Sequence, residues 1–187
     1  MFDHETTAAD VLTDAALGAI AGVAATAAMG PLTTFLSKPQ PQAAKRQEQE
    51  VNARAGTPPT VKVAEKAAST LGKTLPAHRH SLAGKVVHYG FGTFWGAALG
   101  AVSAGWKPLP PGSGVALGIL LWLSMDEGAL PALGLSGKPR ESPRETHTRG
   151  LASHVLYGVV LDRSLALLEV LLCRSGSALR RSPRRVS

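Results

Sequence analysis

Apolar and polar positions fall into long alternating blocks along this chain instead of mixing residue by residue. Ala15 to Leu36 contains no charged residue. At the helical rise, a run of that length crosses the bilayer core of about 30 Å. Comparable blocks follow, and together they predict helical spans at about 11–36, 84–106, 114–135 and 150–173. The fourth contains Asp162, Arg163 and Glu169 and is the weakest; if it lies at the interface, three spans remain. The intervening stretch 37–83 is polar. Lys38-Pro39-Gln40-Pro41-Gln42 reads as an extended linker and Ala43 to Ala55 as a short charged helix. Pro58-Pro59-Thr60 is a start signal for a helix over about Val61 to Leu71. Its apolar positions Val61, Ala64, Ala67, Ala68 and Leu71 fall largely on one face, as in an amphipathic helix lying on a membrane or capping a bundle. Trp106-Lys107-Pro108 reads as an interfacial helix end, and Leu109 to Ser113 as a tight turn. The expected fold is all-α: a small polytopic membrane helical bundle in a single domain, 11–173, after an acidic segment 1–10 and before a basic tail 174–187 expected to be disordered.

Within the apolar blocks the small residues are spaced four apart. Gly18, Gly22, Thr26 and Gly30 form one ridge, and His88, Gly92, Gly96 and Gly100 a second. Gly114 and Gly118 continue the pattern, and His154, Gly158 and Asp162 repeat it. Residues four apart share a helix face, and glycine lets helix backbones approach closely in a membrane. These glycines are the expected packing surfaces.

Composition adjusts this picture in two respects. The hydrophobic fraction is 44% and the mean hydropathy only +0.07, averages that look soluble because they pool opposite kinds of segment. Aromatic residues make up 5%, too few for a large soluble core. The net charge of +7 resides in the loops and the tail, including Arg180, Arg181, Arg184 and Arg185. Basic flanks of this kind anchor a chain to anionic headgroups. No nucleic-acid-binding module accompanies them, so a nucleic-acid partner is not expected and the bilayer is. Cys173 is the single cysteine, which excludes an intrachain disulfide and a cysteine metal site. The acidic N-terminus lacks the basic region of a cleavable signal.

Ionisable residues inside a membrane are costly and tend to be functional. If four spans cross, the loops before the second and fourth lie on one side. His88 and His154 then each sit roughly 6 Å inside their helix starts. The third span returns to that side with Asp126 and Glu127 about one turn from its end at Pro131. Two histidines and two carboxylates are thus expected to share one depth. Asp162 lies roughly 12 Å deeper than His154, and Arg163 is expected to reach Asp126 or Glu127. Such a cluster fixes packing, relays protons because histidine titrates near neutrality, or holds a divalent metal, in decreasing order of expectation. His78 and His80 in the loop are a further metal-spaced pair, for which a bare loop role is expected. There is no Walker loop, dinucleotide fingerprint, nucleophile elbow or zinc-protease motif. No catalytic residue, metal or cofactor is therefore assigned.

His88-Tyr89-Gly90-Phe91-Gly92, Asp126-Glu127 followed by Leu130-Pro131-Ala132-Leu133-Gly134-Leu135, and Ser153-His154 with Tyr157-Gly158 resemble the YagU-like bacterial inner-membrane proteins. The resemblance runs from about Leu17 to Leu172 and includes Gly18-Ala19-Ile20-Ala21-Gly22. It implies a multi-pass inner (cytoplasmic) membrane protein, with a link to acid tolerance in one branch of the family, and it implies no catalytic residues. The resulting expectation is a non-enzymatic protein serving acid or envelope homeostasis, or handling protons or ions. Two alternatives stand beside it. One is an assembly subunit pairing with itself or partner helices through glycine ridges. The other is a small metal-dependent membrane enzyme using His88, His154 and Glu127.

Overall fold

The computed structural model describes residues 7–104 and 112–180, with side chains through Leu172. Trp106-Lys107-Pro108, most of the turn after it, and the last arginines of the tail lie outside the described residues.

Helix α1 spans Ala8–Ser37. A capping box starts it: Thr7 Oγ1 accepts the Asp10 backbone N–H at 3.2 Å, and Asp10 Oδ2 accepts the Thr7 N–H at 3.0 Å. Pro31 lies inside α1, which continues to Ser37. Two helices follow in the polar stretch, α2 over Gln42–Ala55 and α3 over Pro59–Thr70. Gly56 separates them at φ 83°, a conformation that suits glycine. Pro58 and Pro59 start α3, where a missing N–H costs nothing. Helix α4 covers His80–Ser103, four residues ahead of its expected start, after a short 3-10 turn at Ala77–Arg79. Helix α5 covers Ser113–Ala132 and is widened over Trp122–Ala129 into a π-helical segment. The long α6 runs over Arg144–Arg180. It carries helix past residue 174, where a disordered tail was expected; no proline intervenes before Pro183 to stop it.

Helix α1 is the centre of the assembly, between α4 and α6, while α5 packs on α6 and α3 on α4. The shared core joins Ala21, Ala25 and Met29 of α1 to Leu121 of α5 and Tyr157, Leu161 and Leu165 of α6. Two antiparallel seams bring backbones together. On the first, a Cβ at Gly18 would meet the Gly96 carbonyl, one at Gly22 the Gly92 carbonyl, and one at Gly100 the carbonyl of buried Asp14. On the second, a Cβ at Gly114 would meet the Gly158 carbonyl and one at Gly118 the His154 carbonyl.

Among the described residues, α1 and α5 are the two helices long and apolar enough to cross a membrane. The polar elements gather at one end. Gln47 of α2 donates to the Glu141 carbonyl at 2.9 Å, Lys62 of α3 donates to the Gly134 carbonyl at 3.1 Å, and Arg54 pairs with Glu141 at 3.5 Å. Val51 and Val61 are buried beneath them. At the start of α4, His80 Nε2 lies 3.3 Å from Glu65 of α3, which ties that helix to the cap.

Candidate functional site: paired histidine and carboxylate contacts

The site begins with Pro131. Proline has no N–H to offer and its ring clashes with the carbonyl four residues back, here that of Glu127. The helix ahead of it is wound in the wider π register from Trp122 to Ala129, which relieves that carbonyl. Such segments are rare and frequent at functional sites. A wider turn also brings consecutive residues closer together around the axis. Asp126 and Glu127, adjacent in sequence, both reach α6.

They meet different histidines there. Glu127 Oε1 lies 2.6 Å from His147 Nδ1, and the other ring nitrogen of His147, Nε2, lies 3.0 Å from the Pro139 carbonyl. Asp126 Oδ2 lies 3.6 Å from His154 Nδ1, which donates to the Gly150 carbonyl at 3.0 Å. His147 and His154 are seven residues apart, on one face of α6 and about 10 Å apart along its axis. Gly150 lies between them. A Cβ there would stand 3.2 Å from Trp122 Nε1 and 3.5 Å from Asp126 Oδ2, so the missing side chain leaves room for α5.

His147 precedes the apolar part of α6. Burial alone would depress its basicity. The Glu127 hydrogen bond and charge, helped by the Pro139 and Ser142 carbonyls, outweigh burial and hold its pKa above the ordinary 6.5. Both ring nitrogens face acceptors, and only imidazolium carries a proton on each.

The sequence expectation is corrected at two residues. His88 does not join the carboxylates. It lies on the exposed face of α4, near enough to His154 for an electrostatic interaction, and makes no hydrogen bond or ion pair with Asp126 or Glu127 among the described residues. His147 stands in its place. Arg163 does not reach Asp126 or Glu127: it is exposed and lies 3.9 Å from Asp162, whose Cβ faces Gly114 at the other end of α5. On α6, 162 is two turns beyond 154, which carries that pair away from the π segment.

Three further contacts were not anticipated. Arg149 forms a two-pronged ion pair with Glu48 of α2, its side chain 13% exposed, and also donates to Gln40 at 2.9 Å. Tyr157 is buried and donates its hydroxyl to the Gly92 carbonyl at 2.6 Å, linking α6 to α4. Ser153 and Thr33 hydroxyls lie 2.8 Å apart between α6 and α1. The spacing of His147 to His154 was the available signal for the first histidine. Pro139 and Pro143 give residues 136–149 the character of a loop and hide the spacing, whereas α6 begins at Arg144. No group of three His, Cys, Asp or Glu among the described residues is placed to hold a metal ion.

Residues 41–163 match the family described as Protein of unknown function (DUF1440). The chain belongs to the DUF1440 family. The matched region runs from the start of α2 into α6 and contains both histidine–carboxylate pairs and the Arg149–Glu48 contact. No curated protein and no solved structure matches the chain.

Proposed function

We propose that this DUF1440 protein is a multi-pass, four-span protein of the bacterial inner membrane, YagU-like in kind, that takes up and releases protons at the π segment. It serves acid or envelope homeostasis and carries out no covalent chemistry. The membrane part of this reading is supported by α5: only 11% of its most apolar window is buried, where the core helix of a soluble protein would be mostly buried. Leu120 and Leu123 of α5 are exposed, an apolar surface suited to lipid. On this reading the two glycine seams are membrane-type close packing, and they are occupied within one chain instead of being left for partner helices.

The observation that carries the proton reading is the pairing of adjacent Asp126 and Glu127 with two histidines of one helix. Histidine is the side chain that changes charge near neutral pH, and the Glu127 carboxylate holds the His147 proton more tightly. Two such pairs on α5 and α6 let protonation alter the attraction between those helices.

The test replaces His147 and His154 with asparagine, and Asp126 and Glu127 with their amides, one at a time. Survival after acid challenge and proton release from proteoliposomes on a pH step are then measured. At least one variant of each pair is expected to lose acid protection and the proton signal while still inserting. Wild-type behaviour from all four would reduce the pairs to packing contacts.

A further inference from the structure

Where the end of α1, one face of α2 and the start of α6 meet, the chain leaves an open recess of about 550 Å³. Its α2 wall consists of Lys45, Glu48, Gln49 and Asn52, positions that share one helical face. Lys38 and Arg149 complete its charged lining. Three cations thus face one carboxylate. Glu48 is engaged by Arg149 through both of its oxygens, which leaves the two lysines uncompensated. Among the described residues neither lysine enters an ion pair, and the side-chain amides of Gln49 and Asn52 make no hydrogen bond. Lys45 Nζ donates once, to the Lys38 carbonyl at 3.0 Å, and an ammonium has two further N–H groups. The hydroxyls of Thr33, Thr34 and Ser37 bond back to α1 carbonyls and so do not occupy these donors. The recess is rich in donors, carries net positive charge and is short of anions.

A second hollow of about 390 Å³ adjoins it and shares Gln40 and Arg149. Its own lining is Leu36, Pro39, Pro41 and Ala152 together with Glu145 and Thr148. A donor-rich recess beside one with an apolar side at Leu36, Pro39, Pro41 and Ala152 matches an amphiphile better than a free anion. Both lie at the end of α1, a helix long enough to span, which places them at headgroup level if α1 crosses. Basic pockets between membrane helices bind anionic headgroups.

We propose that this recess binds the phosphate headgroup of an anionic phospholipid, held by Lys38, Lys45, Gln49 and Asn52, with its glycerol and first acyl carbons against Leu36, Pro39 and Pro41. The site rests on the membrane reading above and is independent of the proton reading. Its function is to anchor α2 to the bilayer surface.

The experiment uses the full chain in zwitterionic nanodiscs and measures binding of phosphatidylglycerol. The K38Q/K45Q variant is expected to bind roughly thirtyfold more weakly, on the order of fivefold per lysine. K73Q/R140Q, which removes two exposed cations outside the recess, is expected to leave binding unchanged. Equal weakening in both variants would make the attraction diffuse and overturn the site. Millimolar inorganic phosphate is expected not to displace the lipid; complete displacement would identify a free-phosphate site and overturn the lipid assignment. Alkaline extraction of native membranes separates the two readings. Retention of the wild type with loss of selective lipid binding in the recess refutes this site alone, and release of the wild type refutes the membrane reading together with it.

Discussion

Glu127 and His147 are joined at 2.6 Å, while the far ring nitrogen of His147 lies 3.0 Å from the Pro139 carbonyl. The histidine therefore links the π segment of α5 to the turn before α6, and it does so best when doubly protonated. Its folded pKa is raised above the ordinary 6.5, so the folded chain binds this proton more tightly than the unfolded chain does. The stabilisation is fully present below about pH 6.5, the unfolded value, and is lost as pH rises through the higher folded value. Thermal unfolding of the reconstituted protein should shift to lower temperature from pH 6 towards alkaline pH, and that slope should shrink in a His147→Gln chain. Ring titration by NMR should show the His147 pKa falling in Glu127→Gln, because burial then acts without its counterweight. An unchanged value would mean that Glu127 does not hold the proton.

Glycines of α4 make opposite predictions according to whether they face the α1–α4 seam. At Gly96 an added Cβ would collide with the Gly18 carbonyl, a backbone atom that cannot rotate away. Gly96→Ala should destabilise the fold on the order of 3 kcal/mol, the upper end of overpacking costs. At Gly90, also on α4, nothing from another element lies within 4 Å of the same atom. Gly90→Ala should be neutral or stabilising by about 0.5–1 kcal/mol, through the lower helix propensity of glycine. Unfolding curves in detergent compare the two directly, and equal effects would place the seam elsewhere.

Four-residue spacing made the glycine ridges visible in the sequence, but spacing cannot say which ridge faces which. Pairing of Gly18 with Gly96 and of Gly114 with Gly158 depends on chain direction and packing order. Asp126, Glu127 and His154 were legible as costly polar residues in apolar runs. His147 was not, because Pro139 and Pro143 made its neighbourhood look like loop and the helix starts immediately after Pro143. His88 was misplaced for a related reason. Its depth follows from its distance to the helix start, but the direction of its side chain depends on how α4 is rotated against α1. Each four-residue step drifts about 40° round the helix, so a seam centred on Gly96 carries His88, two steps away, off the contact face, where it is exposed. Arg149 with Glu48 is a contact across 101 residues for which local pattern carries no signal.

That contact has its own measurable consequence. Arg149 and Glu48 are 13% and 21% exposed at their side chains, and Gln40 adds a third group. Replacing Arg149 with methionine leaves Glu48 charged and largely unpaired, at a cost of about 3 kcal/mol, the lower end for a buried pair given the residual exposure. Helix α2 should loosen, so trypsin should cut at Lys45 or Arg54 faster than in the parent chain. The Arg149→Met, Glu48→Leu double variant should recover most of the loss, because no lone charge remains. Failure of the double variant to recover would assign the effect to Gln40 or to Arg149 packing.

The polar cap constrains topology independently of hydropathy. Gln47 reaches Glu141 and Lys62 reaches Gly134, so on the proposed membrane reading the 38–79 stretch and the 133–143 turn share one side. The proposed four spans require the α4–α5 connection to face the other side. Cys173 is the only cysteine, so a Cys173→Ser chain offers a clean background for single cysteines at Ser69, Ser136 and Lys107. A membrane-impermeant thiol reagent added to intact spheroplasts should label either Lys107→Cys alone or Ser69→Cys and Ser136→Cys together. Labelling of Ser69→Cys without Ser136→Cys would contradict the cap contacts themselves. Labelling of all three from one side would keep the cap and remove α4 and α5 as spans.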